Sequence, residues 1–380
     1  MNDEIKELFK REVDRYEYLY AKANSKSKKK KIAYDLINFE LMYNMLVEDK
    51  VMFSWSKDTD LIKIRLVEVN RFINNILKEE DLCRDIFENS FNIFMEEEYS
   101  LYTDYSKNYH KVSEDMMFKY IGMFLKDIDK SLLNRVKDKL LNLELIINNN
   151  LDINTLGVTF PLESVNKNII MVSVLDDFTM ETASHLVHEL GHDFEFEYNR
   201  KSGLDKSVGK IFESLYAEVC AHFFEYSFIN YLIDNKIYLD DALMLKRRYL
   251  NQIVYYLSQV LTIMNIEDMK IDFKYNVLLE NEDIVSYANE LLVKINSFAE
   301  EYYVGDKIAF RSSFIYSMGR LMSIYLYDIY KENPKEFLSN FRKCLLDYKN
   351  NNFDTFGDVG ITRESMVSGD VLRRVLRDSK

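Results

Sequence analysis

The sequence predicts a mostly α-helical fold with one small β element, and three observations carry that expectation. Glycine and proline are scarce: among the first 150 residues only Gly122 occurs, and no proline precedes Pro161. Sheets need many turns, and turns draw on Gly, Pro and Asn. Apolar residues recur at helical spacing, as in Ile5, Leu8, Phe9, Val13 and Tyr16. A single β-branched run, Asn168 to Leu175, breaks the pattern, with the length and composition of a strand.

The 380 residues are 47% apolar, with 27 tyrosines and 25 phenylalanines, so a sizeable core can form and disorder is excluded. A net charge of −13 leaves no positive face for phosphates, which argues against nucleic acid as a partner. Lys28 to Lys31 read as a solvated loop or helix end. The three cysteines, Cys83, Cys220 and Cys344, have no paired spacing. That fits a reducing compartment and excludes a disulfide scaffold. The charged start, MNDEIKELFKREVD, is unlike a signal peptide, and no window reaches the ~18 apolar residues of a membrane span. A soluble, cytoplasmic protein without membrane partners is expected.

Along the chain, residues 1–150 read as an N-terminal helical region. Residues 150–168 gather Asn, Gly157, Pro161 and Ser164 and read as irregular, before the strand over 169–175. From Thr179 the helical pattern returns. Asn333-Pro334 looks like an N-cap followed by Pro at the first helical position. Residues 351–380, with Gly357 and Gly360, read as loop-rich before a short basic helix. No repeat or linker separates these parts, so 1–150, 151–350 and 351–380 are expected to form one continuous fold.

Four of the five histidines lie between 185 and 222. His188-Glu189-Leu190-Gly191-His192 is the central feature. On a helix, i and i+4 share a face, so both imidazoles can reach one ion, with Glu189 beside a water on that ion. A catalytic zinc takes three protein ligands and leaves one position for water. The third ligand should be an acid inside an apolar helix, and residues 211–229 fit. Phe212, Leu215, Tyr216, Val219, Phe223 and Tyr226 form the apolar stripe, while Glu218, Ala221, His222 and Glu225 share the remaining face. A carboxylate buried there needs a cation. Glu218 ranks first as third ligand, His222 second and Glu213 third.

These residues resemble the thimet oligopeptidase/oligoendopeptidase F group of gluzincins. That family's pattern is HExGH, then about 25 residues on a Glu ligand, a small residue three later and a second Glu seven later. Glu218, Ala221 and Glu225 occupy those positions. The resemblance covers roughly 155–345. It includes Ile169 to Leu175 as the family's substrate-binding edge strand, and Phe314-Ile-Tyr-Ser-Met-Gly319 as its Tyr-rich segment. It implies a zincin-like helical metallopeptidase with a small edge sheet beside the zinc helix and a reduced N-terminal part. It also implies one zinc ion on His188, His192 and Glu218, and hydrolysis of short unstructured peptides.

In that scheme Glu189 takes the proton of a zinc-activated water, and Tyr316 donates a hydrogen bond to the developing oxyanion. Tyr302 and Tyr303 are reserves. Glu225 is a candidate to hold a ligand's second imidazole nitrogen. His185 shares the face of His188 and His192, as a substrate contact or a partly exposed histidine. Arg311 and Arg320 flank the tyrosine segment, as contacts to a peptide carboxylate or, ranked first, in surface ion pairs, and Cys220 is expected in packing. The chain departs from the family in having no histidine after His222, and in Ser312 and Phe314 standing where tyrosines are common. The missing histidine and the reduced N-terminal part motivate one rival reading, a peptidase dedicated to one precursor or target peptide; the other rival is a non-catalytic zinc- or peptide-binding relative. A monomer or weak oligomer is expected.

Overall fold

The fold is taken from a computed structural model, which describes residues 3–24, 109–142, 144–148, 157–162, 167–174, 177–202, 211–264, 303–346 and 353–370, with scattered positions elsewhere. Helix α1 (Asp3–Lys22) is followed by α2 (Glu114–Ile128) and α3 (Lys130–Leu141). Strands β1 (Leu145–Asn148), β2 (Gly157–Leu162) and β3 (Lys167–Ser173) come next. Then follow α4 (Met180–Ser202), α5 (Ile211–Asp234), α6 (Leu239–Met264), α7 (Tyr303–Glu332) and α8 (Pro334–Leu346). A 3₁₀ turn (Phe353–Val359) leads to α9 (Arg363–Ser368). Among the described residues the fold is mostly helical with one three-stranded sheet, as expected.

Local chemistry sets the boundaries. Ser113 caps α2 by accepting from the Met116 N–H at 3.2 Å, and Asp129 caps α3 by accepting from the Ser131 N–H at 2.8 Å. At the start of α8 Asn333 Nδ2 donates to Glu336 Oε2 at 2.6 Å and Asn333 Oδ1 accepts from the Glu336 N–H at 3.5 Å, so the break expected at Asn333-Pro334 is where α7 ends. The basic helix expected near the C-terminus lies mostly outside the described residues. α9 carries only Arg363 as a basic residue.

The sheet order is β1-β3-β2, with β1 parallel and β2 antiparallel to β3. Here three expectations are corrected. Residues 145–148 are a strand inside the half expected to be helical. Residues 157–162, expected to be irregular, form β2. The run over 169–175 is the central strand rather than an edge, because both of its sides are hydrogen-bonded and every residue from Asn168 to Ser173 is buried. Its continuous apolar run is what a strand covered on both faces requires.

Alternation along β3 splits the core in two. Ile170 and Val172 face the main core, which holds Leu186, Val187 and Leu190 of α4. Ile169 and Met171 face the smaller cluster, where Phe9, Val13 and Tyr16 of α1 pack. Helix α5 lies at the centre of the helical layer, packed by α4, α6 and α7. Leu215, Val219, Phe223 and Tyr226 of the expected stripe are buried, and so are Phe224 and Phe228. The side chains of Phe212, Glu213 and Tyr216 lie outside the described residues. A helix apolar nearly all round can only sit inside a bundle, and that places its few polar groups against other helices. Among the described residues no helix is long and apolar enough to cross a membrane.

Candidate metal centre

Two adjacent helices and a strand build the site. His188 and His192 are one turn apart on α4, and Glu218 faces them from α5. His188 Nε2 lies 3.6 Å from Glu218 Oε2, and His192 Nε2 lies 3.7 Å from Glu218 Oε1. The three donor atoms are all within 4.8 Å of one another. Ligands at zinc's usual ~2.1 Å form a tetrahedron with edges of about 3.4 Å. The observed separations therefore fit one ion, and a donor set of two imidazoles and a carboxylate suits zinc.

Glu225, seven residues beyond Glu218, sits behind the trio. Its Oε2 lies 3.1 Å from His188 Nδ1 and 2.9 Å from His222 Nδ1. Burial opposes its charge, but the two imidazole hydrogen bonds hold its carboxyl well below the usual range. An ionised carboxylate only accepts, so His188 carries a proton on Nδ1 and turns Nε2 toward Glu218. Burial also disfavours charge on His188, yet Glu225, Glu218 and Glu189 together raise its pKa to about 9. The pocket thus attracts positive charge at the spot where the three donors converge.

His222, the second-ranked ligand, is fully buried. Its Nε2 lies 3.5 Å from Glu218 Oε2, and its ring packs 4.7 Å from that of His188. It is not in the His188–His192–Glu218 trio, but with His188 and Glu225 it forms a second set of three possible donors within 4.8 Å of one another. Burial, then the Arg320 guanidinium, push His222 well below the usual histidine range, so it is neutral. His185 is half-buried, lies outside both groups, and is driven down to about 4 by desolvation.

Glu189 points to the sheet side. Thr159 Oγ1 lies 2.7 Å from its Oε2 and 3.0 Å from its carbonyl oxygen. Thr159 pairs with Ile170 across the strands, so both point toward α4, and that register brings the hydroxyl to the carboxylate. Burial raises Glu189 to about 7, against the lowering effects of His188 and of the Thr159 bond. A carboxyl tuned to that range can both take and release a proton near neutrality. The spacing of residues gave no hint of Thr159, because a strand thirty residues upstream supplies it.

A second set of residues absent from the motif braces α4. Asp193, buried next to His192, accepts from Arg135 Nε at 2.5 Å and Asn168 Nδ2 at 2.7 Å, with Lys139 Nζ 3.0 Å away. Burial would raise its pKa, but these cations and the amide hold it below the usual carboxylate value. The network ties α4 to α3 and β3 and fixes the rotation that presents both histidines.

Gly191 explains why α4 and α5 approach so closely. A Cβ there would stand 2.6 Å from the Ala221 Cα and 3.1 Å from the Cys220 carbonyl oxygen. Gly319 of α7 does the same on the other side of α5. Its Cβ would stand 3.0 Å from His222 Cδ2 and 3.2 Å from Glu218 Cβ. Cys220 is buried, and burial pushes its thiol up, so it packs as expected.

Tyr316 is brought to this wall. Its ring lies 6.2 Å from that of His222 and 5.4 Å from that of Tyr256. Glu218, then burial, raise its pKa, so the phenol stays protonated as a neutral donor. Phe314 is buried and has no hydroxyl to offer. Tyr302 and the side chains of Tyr303, Arg311 and Ser312 lie outside the described residues. Arg320 corrects an expectation: it is 7% exposed and caged by aromatic rings, not paired at the surface.

No family model and no curated protein matches the chain. Its fold does match solved structures. A structure named as an oligoendopeptidase F superposes with a TM-score of 0.55 at 10% identity, covering 92% of this chain and 64% of that one. PZ peptidase A with an inhibitor superposes at 0.54 and 12% identity, covering 92% of this chain and 65% of that one. The chain thus spans just under two thirds of the length of those proteins. Over 92% of its own length, the chain shares the fold of these two solved structures.

Proposed function

We propose that the chain is a zinc-dependent peptidase that hydrolyses short unstructured peptides. The observation that carries this reading is the convergence of His188, His192 and Glu218, with the adjacent Glu189 outside that donor set and held by Thr159. A purely structural zinc site fills all four positions from protein. Here three donors converge, and a general base stands beside them. The likeness to solved peptidases supports the same reading through the fold.

Each side chain has a distinct task in this proposal. His188, His192 and Glu218 hold one zinc ion, which supplies Lewis acidity to polarise the scissile carbonyl and acidify a water. Glu189 takes the water proton and passes it to the leaving amine. Tyr316 donates to the oxyanion, a role its neutral phenol suits. Glu225 fixes the tautomer of His188, and Thr159 the aim of Glu189. The peptide itself is proposed to bind along β2. Among the described residues β2 pairs only with β3, so its outer edge offers backbone groups for strand addition next to Glu189. The unpaired cysteine spacing favours action in the cytoplasm.

The test is a quenched-peptide assay before and after chelation. Activity should fall to background when metal is stripped and return with one equivalent of zinc. Turnover that survives complete removal of metal would overturn the proposal.

A further inference from the structure

Gly157 is the first residue of β2 and pairs with Val172 of β3. It lies two positions before Thr159, so the two residues share one face of the strand. Glycine weakens a strand, because it loses more freedom on folding and brings no side chain to pack. The backbone at this position gives no reason for the choice. Among the described residues the glycines with positive φ are Gly360 and Gly369, so an L-residue could adopt the conformation of Gly157. What leaves no room for one is a side chain from another element. A Cβ on Gly157 would stand 2.8 Å from Glu189 Oε1, 2.8 Å from its Cγ and 3.1 Å from its Cδ. A glycine within a strand marks close approaches of this kind. Here the group that approaches is the carboxyl of the proposed general base, itself only 5% exposed.

From this we infer that Gly157 is a positioning residue, whose bare Cα forms the seat of the Glu189 carboxyl and fixes where that base stands beside the three metal donors. The inference rests on the peptidase reading and deepens it by adding a residue on which the base depends. The seat has two parts on one strand face. Thr159 Oγ1 holds Oε2 at 2.7 Å, and Gly157 leaves the space that Oε1 and Cγ fill. A methyl group at 157 needs roughly 3.5 Å from those atoms, so the carboxyl must retreat by about 0.7 Å. A carboxyl lifted off the strand at Gly157 also lengthens its bond to Thr159, two residues along the same face. Shifts of this size matter to proton transfer, since about 1 Å of misplacement can cost about 10²-fold in rate. The contact differs in kind from that at Gly191, where a Cβ would meet the backbone of the ligand helix α5. At Gly157 the three nearest atoms all belong to Glu189. A side chain there would move the base and leave His188, His192 and Glu218 where they are.

Gly157→Ala separates a seat for the base from an ordinary packing position. Crystal structures of the unaltered protein and the variant read the carboxyl directly. Its Oε2 should move from 2.7 Å to beyond hydrogen-bond reach of Thr159 Oγ1. On a quenched peptide kcat should fall about tenfold or more, with KM and zinc affinity nearly unchanged. In the Glu189→Gln background no base remains to be misplaced, so adding Gly157→Ala should leave the residual rate as it is. A general structural lesion would lower that rate again. Should Gly157→Ala fail to fold, the pair Gly157→Ala with Glu189→Ala decides the matter. Vacating the seat should restore the fold, and a pair that also fails would overturn the inference. So would a carboxyl that keeps its bond to Thr159 in Gly157→Ala, or a kcat equal to that of the unaltered protein. Absence of cleavage by the unaltered protein would sink the peptidase reading instead, and the crystallographic comparison alone would then decide whether Gly157 seats the carboxyl.

Discussion

Glu189→Gln is expected to keep zinc and peptide bound while lowering kcat by about 10²–10⁴-fold, the usual contribution of a general base. The substitution preserves shape and leaves an amide oxygen that can still accept from Thr159 Oγ1, now 2.7 Å from Glu189 Oε2. It leaves the donor set of His188, His192 and Glu218 intact. What it removes is the ability to take a proton from water and return it to the amine. The effect should therefore fall on kcat, with KM and zinc content nearly unchanged. Steady-state assays with parallel metal analysis check this. Full activity in the variant would take Glu189 out of the mechanism.

The second large effect is expected from a single methyl group placed between the ligand helices. In Gly191→Ala the new Cβ would meet the Ala221 Cα at 2.6 Å and the Cys220 carbonyl oxygen at 3.1 Å. Both obstacles are backbone, so rotating a side chain cannot relieve the contact. The helices must part, and overpacking of this kind costs about 1–3 kcal/mol. The contact joins the two elements that carry the ligands, so separation draws Glu218 away from His188 and His192. Zinc affinity should fall about tenfold or more, which is what that free energy supplies when it is lost from binding. Chelator competition measures the affinity, and circular dichroism verifies that the helices persist. An unchanged affinity would show that the close approach of α4 and α5 does not set the site.

How much of this was legible in the sequence follows from how far each contact reaches along the chain. His188 and His192 are one turn apart, so helical geometry alone placed them together. Glu218 and Glu225 could be singled out because an acid inside an apolar helix needs a cation, and the structure sets both against the histidines. The strand at Asn168 to Leu175 was visible as a β-branched run, but its place in the sheet was not. An edge and a centre differ in their neighbours, and the partner strands β1 and β2 are short and half-buried. Gly157 and Pro161 in β2 read as turn residues, although Pro161 sits on a strand with an outer side that needs no N–H. Thr159 and Asp193 act through partners 30 and 25 residues away. Arg320 was read as a surface arginine or a carboxylate contact, because two of the tyrosines that cover it, Tyr249 and Tyr256, come from α6, far upstream. Its tyrosine cage draws on residues from 249 to 316.

The most direct test of the account is the zinc stoichiometry of the purified protein, measured beside the same protein with Glu218→Ala. One ion per chain in the first and a loss of affinity of about a hundredfold or more in the second is the expected result, since a ligand removed from a three-residue set leaves only two. A chain that takes up no zinc, or one that binds it equally well without Glu218, would contradict the assignment.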